Sequence, residues 1–366
     1  MKIKTLSPVH VGTGNRIGCI CYSETNQRSI VNCYDTEDVV ISIPSSMYLD
    51  ESYLRMLKSA KADNESVNSR LLNEIRYDSL KPKYQAYING NLNYQETDEQ
   101  VKTLNKPYVP GSSIKGTIMH ALLYRTIKEN YRSCAIEEYI DLILDKGRTN
   151  RVTTESLYGH VLKSRDAYKI IAGFLLCEDL YFEKIGMYKR CRINTGKENR
   201  DMPLPNCEAI LPGQTAEQAL FQLADDRIRL YLNSGLEINE RIRKFLGQLN
   251  KPFILESLGL LGKENIRIES EYDYSNTTIP GFLNEIRSIS DHSIVVRIGG
   301  YTNYWEKSIS YLVKINNPQY YKYNFAQVFA PKRDKSRPES MPKTRVILYD
   351  DLSDYLAGYL EISDEQ

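Results

Sequence analysis

The sequence predicts an α+β protein with a single ferredoxin-like core that carries large insertions. The predicted elements run strand, helix, two strands, helix and late strand, which is the order of such a core. The 366 residues include 41% hydrophobic and 26% charged side chains, which suits one large globular domain or two ordinary ones. No internal repeat is evident, so a solenoid or a propeller is not expected. We treat residues 1–366 as one module.

The predicted core occupies about 1–14, 106–128, 170–235 and 238–310, with insertions at about 45–105 and 129–168 and a basic loop and helix at about 330–366.

The chain begins with a predicted strand over residues 1–12 that leads into a glycine turn at residues 12–15. Ser7-Pro8 interrupts the strand, because proline cannot donate a hydrogen bond to a ladder. His10 near the strand end is a conceivable general base. A lone histidine in such a place is more often a structural hydrogen-bonding residue, and that is the role we expect.

Short alternating runs and then a polar stretch follow the turn. Residues 17–22, 29–34 and 39–43 have the β-branched, alternating pattern of hairpin strands. Residues 47–77 are predicted to be helical. Residues 78–105 show no clear period, so a loop or lid is expected there.

A helix is predicted to start near Ser113 and to run to about Lys128. Pro110-Gly111 is a turn signal, and Ser112 and Ser113 are good N-cap residues. Apolar residues recur at helical spacing behind them, so one face of this helix is expected to be buried.

The start of this helix is a candidate anion site. Free N–H groups and the positive end of the helix dipole attract a phosphate, and Lys115 in the first turn adds a full charge. Gly116 leaves room for a ligand or a neighbouring strand. The alternative is a purely structural helix cap. A nucleotide P-loop fits poorly, because Thr117 stands where that motif needs lysine.

The middle of the chain alternates helices and strands. Helices are predicted at 135–145, 152–168, 216–233 and 238–262, and strands at 172–182, 187–193 and 293–298.

The loop after the late strand is a second candidate phosphate site. Gly299 and Gly300 let backbone N–H groups point at a phosphate, and Arg297 and Lys307 add positive charge. The alternative is a plain hairpin turn. Three aromatic rings offer stacking surfaces for bases: Tyr301, Tyr304 and Trp305.

A basic run near the end adds Lys343 and Arg345 to the candidates, followed by a predicted helix through Leu352, Tyr355, Leu356 and Tyr359. A second basic cluster extends from Lys184 to Arg200. The alternative for each cluster is a solvated loop.

Composition limits the classes of function. A net charge of +1 is not the strong basic excess typical of nucleic-acid binders. Seven scattered cysteines and four histidines form no zinc pattern, so free thiols, no metal and no cofactor are expected. The first residues lack the apolar run of a signal peptide, and no stretch has the length of a membrane span. We expect a cytoplasmic protein.

Two motifs resemble the RAMP superfamily of CRISPR RNA-binding proteins. They are LSPVHVGTG at residues 6–14 and YVPGSSIKGTI at residues 108–118. The acidic pair Glu178-Asp179 after a strand and the E-x-x-x-P-G pattern from Glu208 are also similar to this family. The Gly-Gly-Tyr loop and the Pro-Lys-Thr-Arg sequence near the end resemble a subunit of the type III-A CRISPR effector, the Csm complex, at the 3′ end of the guide RNA.

The resemblance implies an RRM-type core, the RAMP fold, and binding without catalysis. The expected partners are the 3′ portion of the guide RNA, target RNA indirectly, the backbone RAMP subunits, the small helical subunits and host nucleases that mature the guide. Together with the residue patterns above, the candidate RNA contacts are His10, Gly12, Gly14, Ser112, Ser113, Lys115, Arg297, Gly299, Gly300, Tyr301, Lys307, Lys343 and Arg345.

Two alternatives remain open on the sequence. One is a metal-independent, guide-processing ribonuclease on the same fold, which needs a general acid and base at the scissile phosphate. No histidine-centred cluster is visible for that role. The other is a sugar- or nucleotide-binding α/β protein without a role in CRISPR defence.

Overall fold

The computed structural model describes residues 1–25, 29–48, 75–88, 96–145, 152–194, 202–275, 277–302, 307–325 and 344–363. Most of the predicted helix at 47–77 lies outside the described residues, as do residues 89–95 of the predicted loop, Tyr304, Trp305 and Lys343. Among the described helices, none has the length and apolar character needed to cross a bilayer.

The strands are β1 (Lys2–Thr5), β2 (Gly12–Ile17), β3 (Tyr22–Glu24), β4 (Ile30–Cys33), β5 (Tyr84–Ile88), β6 (Thr97–Gln100), β7 (Lys102–Thr103), β8 (Lys106–Val109), β9 (Leu175–Leu176), β10 (Leu180–Tyr181), β11 (Ile185–Asn194), β12 (Met202–Ile210), β13 (Thr215–Ala216), β14 (Gln222–Leu223), β15 (Ile294–Arg297), β16 (Thr344–Tyr349), β17 (Asp354–Tyr355) and β18 (Tyr359–Ser363).

The helices are α1 (Thr36–Ser42), α2 (Ser45–Tyr48), α3 (Gly111–Glu129), α4 (Ile136–Asp145), α5 (Thr154–Val161), α6 (Ala167–Gly173), α7 (Asp225–Leu232), α8 (Glu240–Gln248), α9 (Lys251–Glu269), α10 (Ile279–Ser290), α11 (Ser310–Asn316) and α12 (Pro318–Tyr320).

Two sheets organise the fold. A four-stranded antiparallel sheet has the order β13-β1-β18-β15, so β18 lies between the first strand and the late strand. A nine-stranded sheet has the order β2-β6-β12-β11-β5-β4-β3, and β16 and β17 extend it from β11. Smaller sheets join β10, β8 and β7, and β14 and β9.

The four-stranded sheet shares its core with α3 and α9, the two longest of the described helices. Buried side chains of α3, such as Ile114 and Ile118, belong to the same apolar cluster as Ile3 of β1 and Leu360 of β18. Helix α9 packs on both α3 and β15. At Gly262 the helix comes so close to β15 that an added β-carbon would lie 1.7 Å from the Val295 carbonyl oxygen.

The prediction of an α+β fold with insertions is confirmed, and the predicted order appears as β1, α3, β11–β12, α9 and β15. The hairpin of β11 and β12 lies in the nine-stranded sheet, whereas β13 and β18 complete the four-stranded one.

Two predicted elements have the wrong type. Residues 39–42 belong to helix α1 and not to a strand, and Ile43 is its C-cap. Asp35 caps the start of this helix by accepting a hydrogen bond from the Glu37 N–H at 3.0 Å. The predicted helix after Arg345 is absent from the described residues, which form β16, β17 and β18 instead. There Tyr355 pairs with β16 and Tyr359 pairs with β15, so sheet pairing overrides the helical spacing of the apolar residues.

Other predictions were partly wrong. Residues 12–15 are part of strand β2, and the described part of 78–105 contains β5, β6 and β7. The predicted helix at 152–168 is divided into α5 and α6, and 216–233 contains β14 as well as α7. The first two residues of the predicted strand at 172–182 belong to helix α6. The predicted helix at 238–262 is divided into α8 and α9. The helix near 135–145 and the strands near 187–193 and 293–298 agree with the prediction.

Candidate nucleic-acid interface

The turn after β1 and the loop after β15 contact each other. The Gly300 N–H donates to the His10 carbonyl oxygen at 2.7 Å, and the His10 ring stacks on the Tyr301 ring at 4.6 Å between centroids. An added β-carbon at Gly299 would lie 2.4 Å from the same carbonyl oxygen, and the φ angle there is +101°. Both reasons require glycine at this position. Two of the predicted RNA-contacting segments therefore form one surface.

His10 is a buried residue that stabilises this contact. Its side chain is 4% exposed, and Nδ1 lies 2.6 Å from the Glu208 carbonyl oxygen. A carbonyl only accepts, so Nδ1 carries the proton and donates. Burial lowers the pKa of His10 from 6.5 to about 4, so the ring is neutral at pH 7. A β-carbon at Gly12 would lie 2.8 Å from Nε2, so Gly12 makes room for this ring.

Tyr301 is held by charged groups of the nine-stranded sheet. Its hydroxyl donates to Asp98 at 2.7 Å, and the Arg190 guanidinium lies over its ring at 4.5 Å. Asp98 also pairs with Arg190 at 2.7 Å and with Arg16 at 3.1 Å. Because His10 and Arg190 both contact the ring, little of the Tyr301 surface remains for stacking on a base.

The helix start is built differently from the prediction. Helix α3 begins at Gly111, after Pro110, and the Gly111 N–H donates to Asp179 Oδ1 at 2.8 Å. The acceptor therefore comes from the segment before β10 and not from Ser112 or Ser113. Only glycine fits at position 111, because a β-carbon would lie 2.2 Å from the Cys177 carbonyl oxygen.

The candidate side chains of this turn differ in exposure. Ser112 is exposed, and Ser113 and Lys115 are half-buried. Lys115 Nζ donates to the Ala172 carbonyl oxygen at 3.2 Å, near the end of α6, so this lysine also has a structural contact. No atom lies within 4 Å of a β-carbon placed on Gly116, so the surface beside Lys115 is open.

Arg297 and Arg345 lie in the core and not at this surface. Both pair with the fully buried Glu269, at 3.2 and 2.9 Å. The Arg297 Nε also donates to the Ala357 carbonyl oxygen, and Arg345 lies over the Tyr272 ring. Burial opposes the charge on Glu269, but the two arginines and the Tyr274 hydroxyl lower its pKa. Both arginines form ion pairs with a buried carboxylate, so we leave them out of the proposed RNA surface.

The remaining candidates are exposed. Gly14 has a φ angle of +88° in the exposed strand β2. Lys307 is exposed, and its Nζ donates to the Gly299 carbonyl oxygen at 2.9 Å, which fastens the loop. No group of three or more potential metal ligands occurs among the described residues.

A buried polar network joins the interface to the nine-stranded sheet, and sequence reasoning missed most of it. Glu208 accepts from Tyr84, from Lys102 at 2.5 Å and from the Gln100 N–H at 3.1 Å. The E-x-x-x-P-G pattern identified Glu208, but Gln100 and Asp98 lie in a segment that was predicted to be a loop. The basic cluster contained Arg190, without any sign that strand β11 buries it.

Comparisons with known proteins agree with this architecture. The sequence model of the RAMP superfamily matches residues 2–328. A chain in the cryo-EM structure of a Csm–crRNA–target RNA ternary complex of a type III-A CRISPR-Cas system is 21% identical, with a TM-score of 0.68 and 99% of each chain covered. Csm5 of T. onnurineus is also 21% identical, with a TM-score of 0.59, 99% of this chain and 100% of that chain covered. No curated protein sequence matches. The chain thus shares its fold, over nearly its whole length, with these two structures.

Proposed function

The chain belongs to the RAMP superfamily, and from this premise we propose that it is a non-catalytic RNA-binding subunit of a type III-A CRISPR ribonucleoprotein. In that complex it binds the 3′ portion of the guide RNA, ends the stack of backbone RAMP subunits and supports guide maturation by host nucleases. It meets target RNA only indirectly, through the guide. In the assembly it also touches the small helical subunits.

The observation that carries the proposal is the joining of two glycine turns, near residues 10 and 300, by the hydrogen bond from Gly300 to His10. Around this joint lie the exposed residues 12–15 and Lys307. Backbone amides, glycines and lysine recognise phosphates without reading bases. The likeness to two Csm structures along the whole chain supports the same assignment.

This proposal predicts binding that depends on phosphates and not on base sequence. We would measure the affinity for two unrelated guide RNAs of equal length over a range of salt concentrations. Both affinities should be similar and should fall steeply with salt, because each phosphate contact releases counterions. A strong preference for one sequence together with a flat salt response would contradict the proposal.

The position at the guide 3′ end has its own test. In the assembled complex, a photoreactive nucleotide at the 3′ end of the guide should crosslink to this subunit, and one at the 5′ end should not. Crosslinking only from the 5′ end would overturn the assignment of the end while leaving RNA binding intact.

The ribonuclease alternative is disfavoured by His10, since its buried Nδ1 is engaged with Glu208 and Nε2 packs against Gly12. Guide RNA incubated with the protein, with and without divalent metal, should stay intact. Loss of RNA cleavage in an assembled complex with His10→Ala, at normal assembly and RNA content, would show instead that His10 is catalytic.

A further inference from the structure

Gln100 connects two of the segments that the sequence predicts to bind RNA, the His10 turn and the start of α3. Its side chain is 0% exposed. Oε1 accepts from the Val11 N–H at 2.8 Å, in the turn after β1. Nε2 donates to the Tyr108 carbonyl oxygen at 3.0 Å, in the strand that leads into α3. One buried amide therefore bridges the His10 turn and the approach to the helix start.

The main chain beside Gln100 makes the same connection. The Val101 N–H donates to the Val11 carbonyl oxygen at 2.8 Å, and the Tyr108 N–H donates to the Val101 carbonyl oxygen at 3.3 Å. Strand β8 ends at Val109, next to the Pro110 that caps α3. The position of β8 therefore determines the position of the first N–H groups of α3 and of Lys115.

Glu208 keeps Gln100 in place. Its carboxylate accepts from the Gln100 N–H, and its own carbonyl oxygen accepts from His10 Nδ1. Lys102, whose side chain is 6% exposed, balances the charge of this carboxylate. All these groups are buried, so water cannot take the place of the Gln100 amide without disturbing the network.

We propose that Gln100 is a positioning residue that holds the His10 turn and the start of α3 at the spacing a bound RNA backbone requires. This inference rests on the proposed function. Gln100 is too deeply buried to touch RNA itself. Its effect is preorganisation: with both segments held in place, one RNA strand engages both without an additional ordering cost.

The test is Gln100→Met, which keeps the length of the side chain and removes both amide contacts. RNA affinity should fall about tenfold, within the range of couplings between contacting residues. The dependence of affinity on salt should weaken by about one phosphate contact. In the Gln100→Met variant, Lys115→Ala should lower the affinity less than about twofold, whereas it lowers the affinity far more in the wild type. The reason is that the two segments no longer bind one RNA strand at the same time.

Ser257→Ala is the matched control, since Ser257 is also 0% exposed and donates to a backbone carbonyl, but within α9. It should lower the melting temperature and leave RNA affinity unchanged. If Gln100→Met does not fold, Gln100→Asn keeps the amide but is too short to reach both partners, and the same results are expected of it.

Three outcomes overturn the inference. Normal RNA binding by a folded Gln100 variant with a lower melting temperature would make Gln100 structural only. Additive losses in the double variant with Lys115→Ala would show that it does not join the two segments. Absence of RNA binding by the wild type would remove the proposed function as well, which distinguishes that failure from the first two.

Discussion

Glu269 is a fully buried carboxylate whose charge is balanced by Arg297 and Arg345 on two different strands. Arg297 lies two residues before Gly299, so its ion pair with Glu269 stabilises the end of the strand that leads into this loop. A buried charge is tolerated only with its partners present, because desolvation costs several kcal/mol per ion.

Glu269→Gln should therefore destabilise the protein by about 3–5 kcal/mol, since two buried guanidinium groups lose the charge that balances them. Urea denaturation measures this change. The control is Glu256→Gln, whose pair with Arg125 is exposed and should matter by less than about 1 kcal/mol. Equal stability of the two variants would mean that the buried triad contributes nothing specific.

His10 gives the protein a defined pH dependence. The pKa of His10 is about 4 when folded and 6.5 when exposed, so the folded state favours the neutral ring. Its contribution to stability is complete above about pH 6.5 and is lost as the pH falls through 4. Between pH 7 and 4 the wild type should lose about 3 kcal/mol more than His10→Asn, whose amide can also donate to Glu208. Parallel stability curves for the two proteins would contradict the neutral, buried histidine.

The candidate residues show what the sequence reveals at this scale. Glycines and motif residues at turns were found because few other residues fit there, as at Gly299. Arg297 and Arg345 were expected at the surface but are buried, because the sequence alone does not tell whether an arginine faces solvent or a buried acid such as Glu269. No sequence pattern pointed to Gln100, because its hydrogen-bond partners Val11 and Glu208 are distant from it in the sequence.

At the scale of elements, α9 packs closely against β15 at Gly262. Gly262→Ala would place a methyl group 1.7 Å from the Val295 carbonyl oxygen, so the helix has to move away. We expect a loss of about 1–3 kcal/mol in the free energy of unfolding. Gly259→Ala in the same helix meets only Ile294 at 3.8 Å and should be neutral or stabilising by up to about 1 kcal/mol. Thermal denaturation of both variants compares them, and a reversed order would contradict this packing.

The start of α3 is tested by Lys115→Ala. RNA affinity should fall by roughly 1–2 kcal/mol, the range of hydrogen bonds to charged groups, with a small loss of stability from the contact to Ala172. The control is Lys128→Ala at the other end of the helix, which loses its contact to Glu264 and should bind RNA normally. A lower melting temperature with unchanged RNA affinity for Lys115→Ala would reduce this turn to a structural cap.

Elements with strong local signals were predicted well, and those decided by distant pairing were not. The helix at Ser113 and the strand at 187–193 carry their own turn and periodicity signals. Apolar residues from Leu352 to Tyr359 have helical spacing, but Tyr355 pairs with β16 and Tyr359 with β15, and these pairings determine the conformation. Short strands such as β6 and β7 were missed because polar residues make up most of their length.

For the whole molecule, β18 closes the four-stranded sheet between β1 and β15. A chain that ends after Tyr349 lacks this strand, so the sheet cannot form and the cooperative thermal transition should disappear from circular dichroism. The full chain with Leu352→Ser should melt like the wild type, because that side chain is 78% exposed. A cooperative transition in the shortened chain would show that the rest of the core folds without β18.

Gly358 connects the segment before β18 to both of the turns near residues 10 and 300. Its N–H donates to the Pro8 carbonyl oxygen, and its carbonyl oxygen accepts from the Ile298 N–H, both at 2.8 Å. Gly358 therefore supports both turns from the segment before β18, in addition to the direct hydrogen bond from Gly300 to His10. We therefore expect the two turns to reach their final arrangement only after residue 358 has left the ribosome, when both of its hydrogen bonds can form.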